Sequence, residues 1–581
     1  MVLPVRRSPA IALVFICLSV FVISVDATIV NVALPTLSAE LDADTAQLQW
    51  IVDAYTLVIT GLLLTAGSLS DRYGRRGWLC SGLVLFALAS AVAAQTTSAD
   101  GLIAARAAMG VGAAIIFPTT LALITNMFTD PARRARAIGA WAAMTGVGVA
   151  VGPISGGWLL QHFSWGSIFV VNMPIALVAV LGVLLFVPTS RDPATPPLDV
   201  AGFLVSAIGL TVLVYTIIEG PDAGWRSVRT IAGFAVAATV LAIFGWWELR
   251  REHPMLDLSL FRNRRFSGGS LAITAGFLTL FGFIFVITQY FQFVKHYSAF
   301  ETGVRLLPVA VSIALASALG PRLVERIGTT AVVAGGLGIF AAGLGWASTA
   351  AAGTPYSEIA MQMTLLGGGL GLTTAPATES IMGALSADKA GVGSAVNDTT
   401  RELGGTLGVA IVGSVFASVY SGRLTGAPAI AGLPADAREA AETSMAAAQQ
   451  VLAHVRPDQA SGVGAAVQQA FLDGLQLGSL VCAGIALGAA CVVAVLLPAR
   501  SAGESGYANG GRRSIARDPE PSRRHSRATQ SASSSVTRLP ITRTAISINL
   551  FDRMARGPVR GRKDGMVSRR PRRRAAENAC E

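Results

Sequence analysis

Apolar residues gather along this chain into fourteen runs of about 18 to 24 residues, starting near 10, 50, 78, 101, 138, 168, 200, 230, 267, 303, 330, 358, 392 and 472. Each is long enough, as a helix rising about 1.5 Å per residue, to cross a hydrocarbon layer about 30 Å thick. The pattern predicts an all-α polytopic membrane protein, and an even number of crossings puts both ends on one side. Basic residues choose the side. With the N-terminus inside, eighteen lysines and arginines before the C-terminal tail fall in inner segments, among them Arg72, Arg75, Arg76 and Arg133, against seven in outer ones. Both termini are therefore expected in the cytoplasm.

Polar residues that interrupt these runs are the first candidates for function. Asp26 lies deep in the first run, where a carboxylate costs about 2.5 to 3.5 kcal/mol on insertion scales and so needs a partner or a wet cavity. Arg106, in the fourth, cannot discard its charge and needs an acid within reach. Helical rise places Asp26 about 24 Å from the inner end of its segment, Asp53 about 5 Å and Arg106 about 8 Å below the outer ends of theirs. All three thus share the outer half of the membrane, and Arg106 has two acids to choose from. A fixed structural ion pair is the alternative to proton handling.

Two polar turns read alike: Leu69-Ser-Asp71-Arg72-Tyr-Gly74 after run 2, and Leu323-Val-Glu325-Arg326-Ile-Gly328 after run 10. Such a repeat is the layout of carriers whose halves rock about a midplane site. With six helices in each half, the two runs between 200 and 250 are surplus. The expected organisation is a cytoplasmic N-terminus (1–9), a six-helix bundle (10–190), two inserted helices with flanking loops (191–265), and a second six-helix bundle (266–498). The last contains a long outer loop, 423–470, and a disordered basic tail follows (499–581).

Composition agrees with the pattern and removes other classes. The chain is 52% apolar and 14% charged, far from the quarter charged of soluble domains. Its net charge of +11 belongs to the tail: 26 basic face 27 acidic residues up to Ala499, and 19 face 7 from Arg500 on. A tail rich in Arg and Ser cannot bury enough surface to fold alone and suits anionic lipid headgroups. No aromatic platform marks a nucleic-acid reader. Five scattered cysteines, without CxxC spacing, predict neither disulfides nor a metal site. Arg6 and Arg7 before an apolar stretch imitate a secretory signal, but the run continues past the would-be cleavage site to Leu34, so the segment is expected to stay.

The turn Gly67-Ser-Leu-Ser-Asp71-Arg72-Tyr-Gly74-Arg75-Arg76 resembles the loop signature of the major facilitator superfamily. There the acid helps latch the halves in the outward-facing state, which implies a gating role for Asp71 and Arg72. Leu102-Ile-Ala-Ala-Arg106-Ala-Ala-Met109-Gly110-Val-Gly112 resembles the superfamily's fourth-helix motif, in which an arginine accompanies the proton carrier; Met109 stands where glutamine is common. Gly148, Gly152, Pro153, Gly156 and Gly157 match its fifth-helix antiporter signature, which implies export. Asp26-Ala-Thr28-Ile-Val-Asn31-Val-Ala33-Leu34-Pro35, Trp165-Gly-Ser-Ile-Phe169-Val-Val-Asn172-Met-Pro174 and Arg401-Glu-Leu-Gly404-Gly405 narrow the resemblance to the fourteen-span drug:proton antiporter branch, over residues 8 to 498.

The resemblance implies a major facilitator fold and a carrier, not an enzyme, that expels small lipophilic or cationic compounds across the cytoplasmic membrane. It would be driven by the proton gradient without a bound cofactor and would work as a monomer. Asp26 is expected to be the main proton carrier because it lies deeper, and Asp53 a helper. Asn31, Tyr55, Phe281, Phe285, Gln289, Gln292 and the intramembrane acid Glu379 are expected around the cargo, since aromatic faces attract lipophilic cations without demanding one shape. A dedicated metabolite or lipid exporter, or a membrane sensor signalling through the tail, are the competing readings.

Overall fold

A computed structural model describes residues 8–191, 199–252, 254–385 and 390–498. The Arg6–Arg7 pair and the basic tail lie outside the described residues.

Fourteen long helices follow one another: α1 (Pro9–Leu41), α2 (Thr45–Tyr73), α3 (Arg75–Ala93), α4 (Ala99–Met127), α5 (Pro131–His162), α6 (Asn172–Phe186), α7 (Val200–Ile218), α8 (Val228–Glu248), α9 (Arg264–Gln289), α10 (Leu307–Ile327), α11 (Thr329–Ala347), α12 (Tyr356–Met382), α13 (Ala390–Thr425) and α14 (Pro457–Leu496). Thirteen spans among the described residues are long and apolar enough to cross a membrane. The remaining expected crossing, near 358, is α12, whose run of glycines with Gln362, Thr373 and Thr374 dilutes its apolarity. Among the described residues there is no strand.

The packing repeats with an offset of eight helices. In the first half α1 packs on α4, α5 and α6, α4 on α2 and α3, and α3 on α6. In the second half α9 packs on α12, α13 and α14, α12 on α10 and α11, and α11 on α14. Each of these contacts in one half thus has its counterpart in the other. The repeated turns follow suit. Gly74 (φ 110°) and Gly328 (φ 85°) occupy the left-handed region, which an L side chain rarely enters, and each donates its N–H back to the carbonyl four residues earlier, Ser70 and Val324.

Among the contacts that join the halves, two are counterparts: α2 with α13, and α5 with α10 and the short helix Ala299–Arg305 before it. Helix α5 makes both of its close approaches through small residues. A Cβ on Gly148 would fall 2.7 Å from Ser24 Cβ, one on Gly152 2.8 Å from the Val25 carbonyl and one on Gly156 2.5 Å from Ile29 Cγ1, so this face is pressed against α1. Gly157 and Pro153 face the other way, against Ala299, Phe300 and Gly303 of the second half. Glycine is required where two backbones come this near.

Helices α7 and α8 form the inserted hairpin, and α7 lies over the seam where α2 meets α13. Leu57, Val214, Ile217, Ile218 and Ala410 close that junction. The 423–470 stretch differs from the loop expected of it. Helix α13 runs on to Thr425, α14 starts at Pro457, and between them lie short helices Pro428–Ala431, Ala435–Thr443 and Met445–His454. This cap folds because Tyr420 of α13 donates to the Ala441 carbonyl (3.1 Å), and because Thr45 Oγ1 reaches the Thr443 carbonyl (3.0 Å) from α2.

Candidate functional site

Asp26 and Arg106 meet inside the first half. Asp26 is 0% and Arg106 1% exposed, and Arg106 Nη1 stands 2.5 Å from Asp26 Oδ2. The rest of the guanidinium is also held: Nε donates to the Ile51 carbonyl (3.1 Å), and its carbon lies 4.1 Å from the centre of the Tyr55 ring. Gly110, one turn along α4, allows this approach, since a Cβ there would stand 2.7 Å from the Tyr55 carbonyl oxygen. The second carboxylate oxygen, Oδ1, accepts 2.8 Å from Asn172 Nδ2, which also reaches Ser90 Oγ at 3.4 Å. Asn172 begins α6, and its role could not be read from the Trp165–Pro174 motif alone.

Asp53 stands in contrast. It is 0% exposed on α2, between Ile51 and Tyr55, which both hold Arg106, yet both of its own oxygens are buried without a hydrogen-bond partner. A buried carboxylate without a partner pays the full cost of desolvation unless it carries a proton. One turn along, Thr56 Oγ1 meets Thr406 Oγ1 of α13 at 2.9 Å, so Asp53 lies beside the contact between the halves.

The expected cargo residues divide. Asn31 is buried, with its carbonyl oxygen unpartnered. Phe285 is fully buried, and Phe281 is half-buried, 6.1 Å from Phe277 in a stack. Gln289 is buried and donates to the Phe285 carbonyl of its own helix, whereas Gln292 crosses to the other half and donates 2.9 Å to the Val32 carbonyl of α1. Glu379 is exposed near the end of α12, because helical rotation turns it away from the buried face of Pro376, Ala377 and Ser380.

Sequence reasoning passed over two further acids. Asp398 and Glu402 lie one turn apart on α13; Asp398 is buried, and Glu402 comes within electrostatic reach of Tyr55 in the first half. Arg401 between them covers the Phe277 ring at 4.7 Å. The signal was present, since two carboxylates at i and i+4 inside an apolar span share one face, but the basic neighbour suggested a cytoplasmic end.

At the charged turn, Asp71 Oδ1 accepts 2.6 Å from Arg75 Nε and Arg76 donates to the Val187 carbonyl (3.5 Å). Asp71 thus pairs within its own turn, while Gly67 lies against Pro118 of α4.

Two six-helix bundles packed in the same order, the first with a buried acid–arginine couple inside it, define a membrane carrier. The Major Facilitator Superfamily profile matches residues 16–409, and the chain belongs to that family. Among curated proteins it is similar to the multidrug resistance protein Stp of Mycobacterium tuberculosis, 35% identical over 72% of this chain and 78% of that protein. It is also similar to the multidrug efflux pump LfrA of Mycolicibacterium smegmatis, 35% identical over 84% and 95%. The methyl viologen resistance protein SmvA of Salmonella typhimurium is 35% identical over 80% and 93%. A bacterial homologue of the human lysosomal transporter Spinster, solved in an inward-facing, unoccupied conformation, shares the fold at TM-score 0.59 and 15% identity, over 86% of this chain and all of that one.

Proposed function

We propose that this protein exports lipophilic and cationic drugs across the cytoplasmic membrane in exchange for protons, with the charged-turn end in the cytoplasm and the cap outside. Resistance and efflux proteins that match over most of their own length support the cargo class and direction. The observation that carries the coupling is the unequal treatment of two buried acids: Arg106 and Asn172 occupy Asp26, and nothing occupies Asp53.

A nearby positive charge favours the ionised form of a carboxylate, and burial without a partner favours the neutral form. Asp26 therefore serves as the fixed counter-ion that keeps Arg106 in place, and Asp53 takes and releases the proton. This reverses the order expected from depth. Asp53 sits next to the Thr56–Thr406 contact, so parting of the halves there would open it to water and let the proton leave. Asp398 and Glu402 would receive the positive charge of a cationic cargo, with Phe281 and Phe285 supplying apolar surface. Each proton entering across 100 mV releases about 2.3 kcal/mol. No covalent step is required.

The test uses purified protein in liposomes with a fluorescent lipophilic cation inside. An imposed inward proton gradient should drive its release, and a protonophore should stop it. Release that is indifferent to both would remove proton coupling.

A further inference from the structure

The inserted hairpin carries its own pair of buried acids, at the charged-turn end of the bundle and away from the Asp26–Arg106 couple. Asp199 caps the start of α7 and Glu248 closes α8, so the hairpin brings them together. A Cβ on Gly202 would stand 2.6 Å from Glu248 Oε1 and 2.7 Å from Asp199 Oδ2; without one, both oxygens crowd the same spot. Asp199 is 8% and Glu248 2% exposed, so water does little to screen one from the other.

The two acids are not equally supplied with donors. Asp199 accepts the Gly202 N–H at 2.9 Å and the Trp247 indole N–H on both oxygens, at 3.1 and 3.0 Å, and Arg251 Nη2 stands 3.8 Å from its Oδ1. Such donors favour the ionised carboxylate. Glu248 Oε2 accepts the Leu256 N–H at 3.0 Å, but Glu248 Oε1 is buried without a partner among the described residues. The groups within electrostatic reach of Glu248 are Asp199 of α7 and, from the linker that follows α8, Arg251 and the N–H groups of Leu256 and Met255. None of them donates to Oε1, and the Asp199 oxygen that crowds it is itself an acceptor. Two buried acceptors repel each other unless a proton lies between them, and an O–H···O⁻ bond is then among the stronger ones.

We propose that Asp199 and Glu248 bind one proton between them, carried on Glu248 Oε1 and donated toward Asp199 Oδ2, at a site separate from Asp26, Asp53 and Arg106. What this proton controls is the linker. Leu256 is tied to the same Glu248, its neighbour Met255 accepts through sulfur from Thr65 Oγ1 of α2 at 3.5 Å, and Leu256 and Leu260 pack on the core of the second half. Hairpin, first half and second half therefore meet at one clasp. When the proton passes to water beside the exposed Arg251, two negative charges are left buried together, which drives Glu248 outward and breaks its tie to Leu256. The clasp is closed in acid and opens as the medium at this end turns alkaline. The site goes beyond the export reading, because it needs no gradient, no cargo and no particular orientation in the membrane.

The test uses the purified full-length protein in detergent, without a transport assay, so that its failure and a failure of the export reading are distinguishable. Infrared difference spectra of the parent against Glu248→Gln should show a protonated carboxyl that the variant lacks, and its band should fade on alkaline titration. Glu248→Gln keeps the side-chain shape and supplies a permanent donor toward Asp199, so tryptic cleavage after Arg250 and Arg251 should stay slow in it at every pH. Cleavage of the parent should match that variant in acid and run several-fold faster in alkali; comparing the two at each pH cancels the protease's own pH dependence. Thermal unfolding should follow the same sign, because stability from a proton held by the fold is present in acid and lost as pH rises through its titration, so the parent should fall below Glu248→Gln on the alkaline side only. Glu248→Ala, which removes the tie to Leu256 outright, should be cut fast at every pH. A difference spectrum without a protonated carboxyl, a cleavage ratio that does not change with pH, or Glu248→Gln behaving like Glu248→Ala would each overturn the proposal.

Discussion

Asp26 and Asn172 come from the first and sixth helices and meet at 2.8 Å, with Asn172 taking the one carboxylate oxygen that Arg106 leaves free. Both oxygens of Asp26 are thus taken, by a cation and an amide, whereas those of Asp53 have no hydrogen-bond partner among the described residues, which directs attention to Asp53 for proton transfer. Asp53→Asn mimics the neutral acid and removes no contact. It should fold, bind drug, and lose export driven by an imposed pH gradient in liposomes. Normal gradient-driven export by this variant, with loss in Asp26→Asn, would return the carrier role to Asp26.

Asp26→Asn is expected to behave differently in kind. It leaves Arg106 buried without its ion partner, a change that typically costs about 3 to 5 kcal/mol. The measurement is the yield and thermal stability of detergent-solubilised protein, which should fall for Asp26→Asn and stay near the parent for Asp53→Asn. Equal stability of the two would show that the ion pair does not hold the first half together.

Asn172→Ala removes one hydrogen bond to a charged group, worth about 1.5 to 3 kcal/mol. The freed oxygen of Asp26 then becomes able to accept a proton. The expected result is a stable enough carrier whose pH profile of export shifts, because a second acid now competes with Asp53. An unchanged profile would reduce Asn172 to a packing residue.

How much of this was legible in advance follows physical lines. Hydropathy alone found every long helix, because a span must be apolar over about 20 residues whatever it packs against. Depth arithmetic brought Asp26, Asp53 and Arg106 to one level, but level says nothing of rotation about a helix axis. Arg106 takes Asp26 of α1, and meets α2 only through the Ile51 carbonyl and the Tyr55 ring. Rotation also explains why Glu379 is exposed while Asp398 is buried. The cap was illegible for another reason: its short helices are too polar to resemble a span and are fixed by long-range bonds such as Thr45 to Thr443.

The glycine face of α5 touches both α1 and the second half. Gly152→Val would drive a branched side chain into the Val25 carbonyl and Thr28, and Gly157→Val into the backbone of Ala299. Overpacking of this kind costs about 1 to 3 kcal/mol or more where backbone must move. Both variants should export poorly, but only Gly157→Val should do so with a first half that packs normally. Thermal unfolding of that variant close to the parent, with export lost, is the expected pair of results. Full activity in Gly157→Val would show that the halves do not move against each other at this contact.

The last prediction concerns the two ends of the bundle. Asp71 pairs with Arg75 four residues away and, among the described residues, with none in the second half. If the halves latch through this turn in another conformation, Asp71→Asn should slow export several-fold while leaving folding intact, since a half-buried pair within one helical turn contributes only about 0.3 to 1 kcal/mol. The opposite end carries the cap, where Ser444 starts a helix whose Gln450 donates to the Ala39 carbonyl of α1 at 3.5 Å. A cysteine at Glu439, which is exposed on the cap helix, should react with an impermeant thiol reagent added to intact cells, and one at Arg72 only after permeabilisation. Release of the cap on opening should make the Glu439 position react faster when drug and a proton gradient are both present. Labelling at Arg72 in intact cells would invert the protein in the membrane and, with it, the direction of export proposed here.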